Sequence, residues 1–130
     1  SQSGLNIPVE DSAEIGLRFS DSSLGSVHLN YFQQPPAHTL EILGTQGSLR
    51  WENATGIVTL QKTGNPEMQS YYPPEGFERN CLFLSEMQHF IQVVRGEAKP
   101  RCTLEDGIRA LRLALSALRS AEMQRLVQLN

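Results

Sequence analysis

The sequence predicts an α+β domain, an open and mainly antiparallel β-sheet with helices packed on one face. Apolar residues alternate along the first half of the chain and step by three and four along the second. The strands come in a run before the helices, so a wound βαβ arrangement is not expected.

From Ala13 the odd positions Ala13, Ile15, Leu17 and Phe19 are apolar, with Glu14, Gly16, Arg18 and Ser20 between them. That period of two predicts a strand with one buried and one polar face. Asp21-Ser22-Ser23-Leu24-Gly25 is a turn cluster, and alternation resumes at Val27, Leu29 and Tyr31, predicting a hairpin. Pro35-Pro36 ends the second strand, because proline removes a ladder donor and restricts the residue before it. A third strand over 39–43 runs into Gly44-Thr45-Gln46-Gly47, a short hairpin turn. Residues 48–52 and 56–61 read as two further strands, and 63–76 as a connector rich in Pro, Gly and Asn.

Phe83, Met87, Phe90, Ile91 and Val94 then define an amphipathic helix over 79–95, which Gly96 ends. Thr103 is the expected N-cap of the last helix, with Asp106 three residues on as a weaker form of the capping box. Leu104, Ile108, Leu111, Leu115 and Leu118 line one face, which Ala110, Ala114 and Ala117 widen, as in a helix lying flat on a sheet. Residues 126–129 read as a closing strand.

At 130 residues and 14.5 kDa the chain is expected to form a single domain, residues 1–130. Hydrophobic content of 39% against 19% charged residues excludes a disordered chain. Eleven Lys and Arg against fourteen Asp and Glu give a net charge of −3, and the pI is about 5.6. No nucleic-acid partner is expected from such a balance. No apolar run approaches the ~18 residues of a membrane span, so no membrane partner is expected either. Cys81 and Cys102 form neither a CxxC pair nor a dense framework. Two isolated thiols suit a reducing cytoplasm, where they behave as small core residues. The opening Ser1-Gln2-Ser3-Gly4, without Met or a leader, suits an excised piece of a longer polypeptide. Asn53-Ala54-Thr55 matches a glycosylation sequon, taken here as coincidence.

Recognisable catalytic patterns are absent. There is no GxGxxG, no phosphate loop, and no metal-ligand spacing among His28, His38 and His89. His89 flanks a helical apolar stripe and reads as structural or solvent-facing. His38 stands at a strand entrance, where it lines a cleft or faces water. Glu105-Asp106 is explained by the helix dipole. His28, Asn30 and Phe32 make the outer face of the second strand only partly polar. Such a face serves as an interface between copies, or carries ordinary exposed aromatics.

Read in order, several segments match one pattern. They are Leu17-Arg18-Phe19, Leu24 to Val27, Pro36, His38 to Ile42 and Gly44 to Leu49. Phe83, Glu86, His89-Phe90, Val94-Arg95-Gly96, Pro100, Leu104 to Gly107 and Val127 to Leu129 follow. Together they resemble the C-terminal domain of the Gfo/Idh/MocA oxidoreductases over nearly the whole chain. The resemblance implies a parent in which an N-terminal Rossmann domain holds NAD or NADP. It also implies that the C-terminal domain shapes the pocket for a sugar, cyclitol or related compound and forms a homo-oligomer through its open sheet. The family's lysine motif and Asp-x-x-x-His pair have no counterpart here, and Ala98-Lys99-Pro100 follows a helix end. No catalytic, cofactor-binding or metal-binding residue is therefore assigned, and no cofactor is expected in this chain alone. Arg79 and Asn80 are the substrate-pocket candidates, because the matching segment borders the pocket in similar proteins. The competing expectation is a free-standing interaction module that assembles through its sheet.

Overall fold

The computed structural model describes residues 4–129, in one compact unit running to Phe77 and a second from Glu78. The first unit holds six strands, β1 Ser12–Arg18, β2 Leu24–Asn30, β3 Thr39–Gly44, β4 Gly47–Glu52, β5 Val58–Lys62 and β6 Met68–Tyr71. The second holds α1 Asn80–Val94 and α2 Leu104–Met123. The class is α+β with open antiparallel sheets.

The strands form two sheets, β1-β2 and β3-β4-β5-β6, rather than one meander. Residues 31–38, which hold Pro35-Pro36, lie between them without regular structure. In the hairpin Ile15 pairs with Val27 and Glu14 with His28, so the apolar and polar sets each share a face. Its turn closes on Phe19, whose N–H donates to the Ser23 carbonyl at 2.9 Å. Asp21 Oδ1 accepts from the Ser23 N–H at 3.0 Å and its hydroxyl at 2.7 Å. These bonds hold the Asp21 carboxyl below its ordinary value.

Register gives the four-stranded sheet two unlike faces. Leu40, Trp51, Val58 and Tyr71 stand side by side across it, and Ile42, Leu49 and Leu60 form the next row. On the opposite face Glu41, Arg50, Thr59 and Ser70 run across the strands. Apolar neighbours and opposed charges at paired positions are how a sheet fixes its register. The half-buried residues gather on β4 and β5, which are paired on both sides. Among the described residues only Asp11, at 3% exposure, is buried outright.

Three expectations need correction. The connector over 63–76 contains β6, a four-residue edge strand too short to show a period. Residues 126–129 form no strand. Gln124 takes up a left-handed conformation, φ 50°, and its N–H closes on the Ala121 and Ser120 carbonyls. The Ser120 hydroxyl then donates to the Arg125 carbonyl at 2.7 Å, and residues 126–129 beyond this turn pair with no strand among the described residues. Cys81 and Cys102 are free but exposed, one in the first turn of α1 and one in the approach to α2, and so are not core residues.

The helix ends follow their sequence signals. Gly96, with φ 76°, donates to the Val93 carbonyl while Arg95 donates to that of Ile91, closing α1. At α2 the Thr103 hydroxyl accepts from the Asp106 N–H at 3.2 Å. Asp106 Oδ2 in return accepts from the Thr103 N–H at 2.9 Å and hydroxyl at 2.7 Å. Aspartate thus completes a full capping box.

Candidate functional site

The cavity of interest lies within the first unit. It is a hollow of about 690 Å³ lined by β2 and by the segment from Tyr31 to the start of β3. Strand alternation puts Ser26, His28 and Asn30 on one face of β2, and the irregular chain after them supplies Gln33, His38 and Thr39. No Asp, Glu, Lys or Arg is among the described residues that line it.

A chain of hydrogen bonds orders its polar wall. His28 Nδ1 lies 2.7 Å from Glu14 Oε2 on the paired strand, and Asn30 Nδ2 lies 2.8 Å from His28 Nε2. The carboxylate can only accept and the Asn30 amide nitrogen can only donate. His28 is therefore assigned as the Nδ1–H tautomer, with Nε2 as acceptor. Asn30 Nδ2 also donates to Gln33 Oε1 at 3.3 Å, and Asn30 Oδ1 accepts from the Gln33 N–H at 2.8 Å. The chain leaving β2 is thereby folded back beside the strand. The ion-pair geometry of Glu14 and His28 is open to water, with the side chains 72% and 57% exposed.

His38 borders the hollow from the other side. Its ring meets Trp51 of β4 edge-on, 5.1 Å between centroids, and its carbonyl accepts from the Asn53 N–H at 2.9 Å. Trp51 belongs to β4 and Asn53 to the turn that follows it, so the four-stranded sheet sets where this imidazole stands. The hollow can offer neutral donors and acceptors to a small polar molecule.

The sequence-based pocket candidates lie in the second unit. Arg79 is the N-cap of α1, with helical φ −55° and ψ −32° and no side-chain cap bond, and Asn80 is the first helical residue. Both are exposed and adjacent along the chain. His89 lies within α1, its Nε2 enclosed and without a hydrogen-bond partner among the described residues. His28 and Asn30 meet Glu14 and Gln33, two residues that the sequence reading did not single out. The register of the first hairpin could have found Glu14, since its even positions face those of β2. Gln33 left no periodic signal.

A model of the oxidoreductase family, described as its C-terminal alpha/beta domain, matches residues 2–129. The chain is a Gfo/Idh/MocA C-terminal domain. No curated protein and no solved structure matches it. The family match agrees with the antiparallel sheets and the two helices that follow them.

A nicotinamide dinucleotide, which the family implies, needs a glycine-rich turn from a parallel strand into a helix N-terminus. Every strand pair among the described residues is antiparallel, and the N-terminus of α2 already carries the Glu105 and Asp106 carboxylates. The described residues do not fit that group, and no chemical step is derived through it. Among the described residues no three His, Cys, Asp or Glu gather as a metal-binding group. Among the described residues no helix is long and apolar enough to cross a membrane.

Proposed function

We propose that this domain is the substrate-binding and oligomerisation part of an NAD(P)-dependent oxidoreductase acting on a sugar, cyclitol or related compound. The Rossmann domain of the same parent would hold the nicotinamide, and this domain alone would transfer no hydride. The family match over residues 2–129 carries the reading. Arg79 and Asn80, at the start of α1, are proposed as substrate-pocket residues of the parent enzyme, with Arg79 suited to a hydroxyl or oxyanion. The sheet face carrying His28 and Asn30, with Phe32 beyond its end, is the proposed contact between copies.

The test begins with the intact mass of the native polypeptide, followed by hydride transfer from a polyol panel to NAD and NADP. A mass well above the 14.5 kDa of this chain, with polyol-dependent reduction of nicotinamide, is expected. Saturable micromolar binding of NADH to this chain alone would overturn the assignment of the cofactor to another domain.

A further inference from the structure

We propose that His28 is a proton-sensitive latch on the contact between copies. Neutral, it fixes the chain leaving β2 in the shape that meets a second copy; protonated, it releases that chain and weakens the contact. The inference rests on the contact proposed for this face and adds what regulates it.

The latch is built on a single acceptor. His28 Nε2 accepts from Asn30 Nδ2 at 2.8 Å, while Nδ1 faces Glu14 Oε2 at 2.7 Å. Histidine is the side chain that ordinarily changes charge between pH 5 and 8. Both ring nitrogens of an imidazolium are donors, so protonation keeps the Glu14 bond and sets two N–H groups against each other at Asn30. Turning the Asn30 amide over would present Oδ1 to the ring, but would withdraw it from the Gln33 N–H, from which it accepts at 2.8 Å. The same turn would take Nδ2 away from Gln33 Oε1. No orientation of this amide satisfies the imidazolium and Gln33 together. The Asn30–Gln33 bonds close a loop around Phe32, the half-exposed apolar group of the proposed contact.

The other groups facing the ring do not supply the switch. On β1, Glu14 stands opposite and Arg18 lies on the same face beyond Gly16. Carboxylates and guanidinium groups ordinarily keep their charge between pH 5 and 8, and phenols stay neutral. On the segment after β2 the titratable groups lining the hollow are Tyr31 and His38. His38 meets Trp51 and, through its carbonyl, Asn53, neither of them part of the Asn30–Gln33 loop.

The test is sedimentation of the chain over a range of concentrations at about pH 7.5 and about pH 5.5, with NMR of Gln33 backbone exchange. The dissociation constant between copies should rise about tenfold or more on acidification, since a two-fold contact holds two latches. Protection of the Gln33 N–H, relative to its free exchange at each pH, should fall about fivefold. In Asn30→Asp the carboxylate accepts from both the imidazolium and the Gln33 N–H, so that protection should survive acidification. His38→Gln should leave the response of the parent chain unchanged. A chain that does not associate at about pH 7.5 would overturn the contact and this inference with it. Association equally strong at both pH values would overturn the inference alone, as would a loss of Gln33 protection that is the same in Asn30→Asp.

Discussion

Replacing Gly47 by alanine tests the register of the four-stranded sheet at one atom. Gly47 opens β4 opposite Gly44 and opposite Lys62 of β5, with φ 147°. Side chains rarely adopt that backbone conformation, and forcing one there costs about 1–3 kcal/mol. The added Cβ would also fall onto the Gln61 carbonyl oxygen and lie 3.0 Å from Lys62 Cα. Both obstacles are backbone, so the β4–β5 end must open, at about 1 kcal/mol for a lost ladder bond. The stiffer unfolded chain returns somewhat less than 1 kcal/mol. The net loss is about 2 kcal/mol, or roughly 8 °C in Tm for a chain of this size. Trp51, the only tryptophan, sits in β4 and reports unfolding of that sheet by its fluorescence in a urea titration. Gly64→Ala is the control, since φ there is 77° with nothing within 4 Å, and should cost about 1 kcal/mol from backbone strain alone. A Gly47→Ala loss no larger than that of Gly64→Ala would refute the placement of β5 against Gly47.

Other outcomes follow from the second unit and the hollow. Thr103→Ala removes one half of the capping box and should cost about 1 kcal/mol, read as reduced helicity and a lower urea midpoint. Thr103 holds the Asp106 carboxyl below its ordinary value of 3.8 through side-chain and backbone hydrogen bonds. The unfolded chain therefore takes up that proton first on acidification, so this stabilisation is complete above pH 3.8 and disappears as pH falls through the lower folded value. Acid titrations of stability should show a shallower decline in Asp106→Asn than in the parent. Glu14→Gln, at an exposed pair, should change stability by less than about 1 kcal/mol in the same urea titration. Gly107→Ala, inside α2 with nothing within 4 Å of the added Cβ, should raise stability by about 1 kcal/mol in the same urea assay.

The alternating residues of β1 and β2, the glycine-bounded turn at Thr45-Gln46 and both helix ends were legible because each depends on neighbours in sequence. Thr103 and Asp106 are three residues apart, and the geometry of a helix start leaves them little else to bond. β6 was not legible, since four residues hold too few alternations to declare a period and its pairing with β5 is settled by tertiary contact. The false strand at 126–129 shows the converse. Val127 and Leu129 alternate, yet a strand also needs a partner edge, and none pairs with these residues among the described ones. Of the hollow, His28 and Asn30 were visible as a polar stripe, whereas Gln33 entered only because an irregular segment folded back beside its strand.

His38 has one side against the hollow and its ring edge against Trp51. Indole emission responds to the polarity and motion of what touches the ring. An occupant that shifts or stills the imidazole therefore changes the light from a chromophore it never reaches. Because the chain has a single tryptophan, that change comes without background from other indoles. An occupant of the hollow that moved His38 would therefore be read through Trp51, without label or cofactor.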